Sequence, residues 1–259
     1  MNKMMISLFM CFTYVGSATC ESVPLNTLVK SYQYAVEDAS KVHATEISRH
    51  LFSVSHDNKK LIWENPEDED SRILVLTWKS QSDYEQYVKS SDQTSDQENY
   101  VTWVTLAPQV RQLCQSFQQK NPEATKEDID LRLKQYLGLS HTWNYDVFIE
   151  MWVSPEDLVR PCVDPEVSDT QCNLKFTSNI PNVKNINNYE IFFKNLYYKS
   201  YRFGVGVPWT GLGYAYDWGS SGSEVGASEY VLSPKSDYEI KKVTKTMDYC
   251  TGKVDRVLK

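Results

Sequence analysis

The chain has 259 residues, 41% of them hydrophobic and 24% charged, a balance that suits a globular protein and excludes a disordered one. Its net charge of −7 argues against nucleic acid as a partner, because a phosphate backbone asks for a basic surface. Past the N-terminus no apolar stretch approaches the length of a membrane span, so none is expected there.

Lys3, the apolar run Met4–Val15 and the small residues Gly16-Ser17-Ala18 have the layout of an export signal cut near residues 18–20. The expected mature protein, residues 21–259, is then a single exported domain, periplasmic or secreted. The polar stretch 90–99 is its candidate sub-boundary. An oxidising compartment makes the four remaining cysteines a disulfide framework with three connectivities. Cys162 and Cys172 close a short loop, which leaves Cys114 for Cys250. No metal set is expected, since there is no CxxC pair and only His43, His50, His56 and His141 could help.

Along the chain, Leu25, Leu28, Val29, Tyr32, Val36 and Ala39 recur at helical spacing, with Pro24 at the tolerant first turn. Residues 51–54, 61–63 and 73–78 are β-like, and the acidic run 64–71 between them reads as a solvated turn. A short helix is expected at 82–88, a strand at 100–106 and a helix from Pro108 to Gln119. Thr125 with Asp128 forms a capping-box pattern for a helix that Gly138 ends. Strand 147–153, helix 190–198, and strands 229–232 and 238–243 complete the set. Helices and strands mix without a βαβ rhythm, so the expected class is α+β: a mixed, mainly antiparallel sheet with several packed helices, stapled by disulfides.

Residues 204–226 hold seven of the ten glycines, and the segment to 230 adds aromatics and acids. Glycine lets a backbone approach a ligand closely, and Trp209, Tyr214, Tyr216 and Trp218 offer stacking faces beside Asp217, Glu224 and Glu229. Glu150 lies between Phe148 and Trp152 on one face of a strand, a setting that raises a carboxyl pKa and suits a general acid. Paired with Glu224 or Glu229 it would form a two-carboxylate glycosidase apparatus.

The stretch from Glu229 through strand, Pro234-containing turn and second strand resembles the catalytic-glutamate strand of ADP-ribosyltransferases. The resemblance covers about twenty residues and departs from the family at Ala227, where its Glu-x-Glu pair has the first glutamate. It implies Glu229 as the carboxylate that stabilises an oxocarbenium-like ribose, NAD as cosubstrate, and Arg160 or Arg202 on the phosphates. The runs RPC-x-DPEV (160–167) and GLGY-x-YDWG (211–219) also resemble segments of uncharacterised exported bacterial proteins, which implies no activity.

The leading expectation is an exported binding protein with its ligand loop at 204–230 and no cofactor. Its partner would be a glycan, a nucleotide-like small molecule or another protein. The alternative is an NAD-using transferase or glycohydrolase-like enzyme built on Glu229.

Overall fold

The computed structural model describes residues 24–252; the expected signal segment, residues 1–20, lies outside them. Seven strands form one antiparallel sheet: β1 (Ile73–Lys79), β2 (Thr102–Leu106), β3 (Val147–Val153), β4 (Leu158–Val159), β5 (Tyr214–Tyr216), β6 (Val225–Leu232) and β7 (Tyr238–Lys245). The order is β4-β6-β2-β1-β3-β7, with β5 added beside β6. Strands from both sides of the 90–99 stretch therefore pair within the same sheet. The class is α+β, as the mixture of strand and helix patterns implies.

Among the described residues six α-helices accompany the sheet: α1 (Leu25–Ala39), α2 (Gln81–Asp83), α3 (Ala107–Lys120), α4 (Lys126–Tyr136), α5 (Tyr189–Arg202) and α6 (Thr246–Thr251). α2 runs on into a wider helical turn through Val88. α4 starts at the expected capping box, in which Thr125 accepts from the Asp128 amide and Asp128 accepts from the Thr125 amide. Those bonds hold the Asp128 carboxyl below its ordinary range.

β3 is buried along its whole length, because both faces of the sheet are covered. Ile73, Val75, Ile149, Met151 and Tyr230 pack on one side with Val54 and Leu61. Leu74, Leu76, Trp78, Phe148 and Trp152 pack on the other, under α3, α4 and α6. Residues 51–54 and 61–63, expected to be β-like, form no strand. Leu51, Val54 and Leu61 are buried while Ile62 is exposed. The Leu51 and Val54 amides donate to the Thr170 and Val167 carbonyls of the loop beyond β4, at 3.0 and 2.7 Å, and Trp63 makes a single β-bridge to Ile73. The exposed lysines Lys241, Lys242 and Lys245 lie on β7, where charge discourages further pairing at the sheet edge.

Both expected disulfides are present. Cys114–Cys250 fastens α6 to α3 across 136 residues of sequence, and Cys162–Cys172 closes a loop of separation 10. Arg160 fills that small loop from inside. Its guanidinium is fully buried and donates to the Asp169 carboxylate and to carbonyls of Gln171, Phe52, Val167 and Asp169. Tyr189 of α5 closes the arrangement by donating to the Arg160 and Cys162 carbonyls.

The glycine-rich segment serves internal packing. At Gly213, φ is +76° and a Cβ would lie 2.7 Å from Arg160 Cδ and 2.9 Å from Cys172 Sγ. At Gly226 a Cβ would strike the carbonyl oxygens of Tyr136 and Ala215. The close approach that glycine permits here is to the protein's own atoms.

Candidate functional site

β1 and β2 are hydrogen-bonded neighbours for only two residue pairs, Val75–Leu106 and Leu76–Thr105. β1 nevertheless continues to Lys79 in register with β3, and β2 stays in register with β6 from Thr102 to Thr105. The two strands thus part beyond Leu76 and Thr105, each held by its outer neighbour. A cavity of about 460 Å³ occupies the wedge between them, roofed by α5, the 207–209 segment and the turn after α4. That volume suits a small molecule. Four of the seven tryptophans, Trp78, Trp103, Trp143 and Trp209, line it.

Glu229 marks the closed end. It is directly paired with Thr105 across β2 and β6, and its amide donates to the Gly213 carbonyl at 3.0 Å. Both side chains are buried, and both Glu229 Oε1 and Thr105 Oγ1 lack a hydrogen-bond partner. The Trp209 indole nitrogen, in the same cavity wall, is also unpartnered. Three orphaned polar atoms in one cavity are unusual, because buried polar groups in folded proteins are normally satisfied. Burial pushes the Glu229 carboxyl up to about 8; the nearby Trp209 N–H pulls the other way without reaching hydrogen-bond geometry. At neutral pH the group is therefore mostly the uncharged acid.

The open end carries basic groups. Lys79, three residues beyond Leu76 and so about 10 Å further along the strand, lines the cavity with Lys199 of α5. Burial lowers the Lys79 pKa and the Asp83 carboxylate opposes that shift. Lys199 donates to the Asn99 carbonyl at 2.7 Å.

The other expected site residues lie elsewhere. Glu150 is on the helix-covered face of the sheet and meets Arg111 of α3 at 3.4 Å. The register Glu150–Leu76–Thr105–Glu229 puts three strand spacings between the two glutamates, about 14 Å. A glycosidase pair needs roughly 5–9.5 Å, so the structure does not bring them together as one. Glu224 lines a separate groove beside α1 with Lys30 and Tyr34. Asp217 is buried in a two-pronged ion pair with Arg132 of α4, at 2.6 and 2.8 Å.

Of the expected stacking faces, only Trp209 reaches the cavity. Tyr216 and Trp218 pack against Tyr32, Ala35 and Ala39 of α1. Their polar tips are satisfied, Tyr216 donating to Asp38 at 2.8 Å and Trp218 to the Leu139 carbonyl at 3.1 Å. Tyr214 is buried and donates to the Glu46 carbonyl at 3.0 Å. Arg160 is occupied by its own loop, and Arg202 is exposed at the end of α5. The cluster Cys162, Asp164 and Cys172 has metal-type side chains, but its two sulfurs are joined to each other.

Thr105, Trp103, Lys79 and Lys199 were not singled out by sequence reasoning. Their one signal is that β1 and β2 each carry polar residues (Thr77, Lys79, Thr102, Thr105) amid strand-forming neighbours. Strand pairing alone determines what those residues face.

No family model, curated protein or solved structure matches this chain.

Proposed function

We propose that the protein is an exported binding protein that takes a small, largely apolar molecule bearing one polar group into the wedge between β1 and β2. The observation that carries this reading is the convergence of Glu229 Oε1, Thr105 Oγ1 and Trp209 Nε1, all buried and unpartnered, on one aromatic-walled cavity. Leaving such groups unsatisfied costs stability, and a ligand group that meets them restores the lost hydrogen bonds. Two disulfides support a working compartment outside the reducing cytoplasm, periplasmic or secreted. The wall favours a small molecule over a glycan, whose many hydroxyls would find few partners among tryptophan faces. Binding is favoured over NAD-dependent catalysis because Arg160 is occupied in its own loop and, among the described residues lining the cavity, Glu229 is the one carboxylate.

The reading is tested with 1-naphthol as a neutral aromatic probe, titrated into the oxidised protein and followed by tryptophan fluorescence. Saturable quenching is expected, and it should vanish in Val207→Trp, which fills the cavity from a half-buried position in its wall. Quenching that persists unchanged in a folded Val207→Trp variant refutes the site.

A further inference from the structure

The inner end of the cavity carries more information than its size. Its acceptor is a carboxyl, and indole rings stand in its wall. Trp103 stands on β2 two residues from Thr105, so both side chains share one face and Trp103 is a diagonal neighbour of Glu229 across the strand pair. Trp209 meets Trp103 edge to face, with ring centroids 6.4 Å apart, and is itself backed by Phe193 at 5.1 Å. Two tryptophans in mutual contact thus stand beside one desolvated carboxyl that pairs with no cation among the described residues.

We infer that this inner end is a site for an organic ammonium ion, a primary or quaternary amine, seated against the indole wall made by Trp103 and Trp209 with Glu229 as its counter-ion. The inference rests on the cavity being a ligand site, as proposed above. An aromatic wall attracts a cation through the ring quadrupole, and a nearby carboxylate supplies the charge. An anion at the same place would meet Glu229 with like charge, and a neutral ligand would leave it protonated.

Binding is coupled to a proton. The Glu229 O–H bond breaks, its electron pair stays on the carboxylate, the proton passes to solvent and the ammonium takes its place as the neutralising charge. The groups facing Glu229 from the packed elements do not compete for this role. Tyr201 of α5 and Tyr214 of β5 are both pushed upward by burial and stay neutral at physiological pH. Thr105 and Trp209 do not titrate in this range, and Leu137–Leu139 after α4 bring no charge. Lys79 and Lys199 stand at the open end, where Lys199 is held by Asn99 and Lys79 lies near Asp83. The charge in the cavity therefore runs from positive at the mouth to acidic at the inner end, and an amine is stable only when fully inserted.

The test compares three probes sharing one aromatic body: 1-naphthol, 1-naphthylmethylamine and 1-naphthoate, titrated calorimetrically between pH 6 and 9. The amine is expected to bind at least about tenfold more tightly than naphthol at pH 8, with naphthoate weakest. Its affinity should rise about tenfold per pH unit up to about 8 and then level, with one proton released per amine bound below that point. In Glu229→Gln the amine should lose its preference over naphthol together with its pH slope. A cooperative thermal melt shows that the variant is folded. If naphthol binds but the amine binds no better, or if the preference survives in Glu229→Gln, the ammonium site is overturned and the cavity reading stands. If no probe binds, the cavity reading itself falls.

Discussion

Thr105 on β2 and Glu229 on β6 face each other directly across the sheet, and the Thr105 hydroxyl and one Glu229 oxygen are buried without a hydrogen-bond partner. A pair so placed adds nothing to strand pairing that two apolar residues would not add better. It makes Glu229 a source of instability with a definite pH signature.

The sign follows from the two protonation states. Below the ordinary carboxylate pKa both folded and unfolded chains hold the Glu229 proton. Between there and about 8 the unfolded chain releases it and the folded chain keeps it, so stability falls by roughly 1.4 kcal/mol per pH unit from this group. Above about 8 the loss levels off. Glu229→Gln should therefore melt higher than wild type, by a margin that grows from pH 5 to 8. Thermal melts of both proteins across that range check it, and a constant margin would mean that Glu229 is not desolvated.

Arg160 gives the contrasting case of a buried charge engaged through both terminal nitrogens, with only Nε left unpartnered. Its guanidinium serves one carboxylate and four carbonyls. Replacing it by Lys or Met should cost about 3–5 kcal/mol, because Asp169 and the surrounding carbonyls lose their donor together. Chemical denaturation measures the loss. An Arg160→Lys protein with wild-type stability would return this residue to the pool of ligand-binding candidates.

The two disulfides should differ in weight. By loop size alone, Cys114–Cys250 restrains the unfolded chain by about 5 kcal/mol and Cys162–Cys172 by about 2.7 kcal/mol. Cys114→Ser/Cys250→Ser should accordingly lower the unfolding midpoint more than Cys162→Ser/Cys172→Ser. The opposite order in urea titrations would mean that Arg160 depends on its closed loop more than the chain depends on the long bridge.

Gly226→Ala should destabilise by at least about 2 kcal/mol, since the added methyl meets two carbonyl oxygens with nowhere to move. Gly222→Ala has open space and should be nearly neutral. Melting both variants beside wild type separates a packing requirement from a general need for glycine in the segment.

Much of the fold is local enough to read along the chain. The α4 capping box needs only Thr125 and Asp128 three residues apart. Strand 147–153 declares itself by seven consecutive strand-forming or buried residues. Helix 25–39 shows its apolar stripe. Residues 51–54 misled because apolar, branched composition marks burial as well as strand; the Leu51 and Val54 amides find partners in a loop more than a hundred residues away, while 61–63 keeps one β-bridge, from Trp63 to Ile73. The aromatic, glycine-rich segment misled for a related reason. A ring destined for α1 and a ring destined for a ligand obey the same preference, and nothing near Tyr216 or Trp218 in sequence says which surface will cover them.

The sequence by itself determined the α+β class, favoured one of three cysteine pairings and marked Glu229 as a carboxylate of interest, because each depends on residue type or spacing within the chain; the structure decided the pairing. Only the tertiary structure decided that Glu229 is dry, that Glu150 stands about 14 Å away beside Arg111, and that β1 and β2 part to leave a tryptophan-lined wedge. Burial and strand register are properties of what packs across from a residue, and that neighbour is chosen by the whole fold.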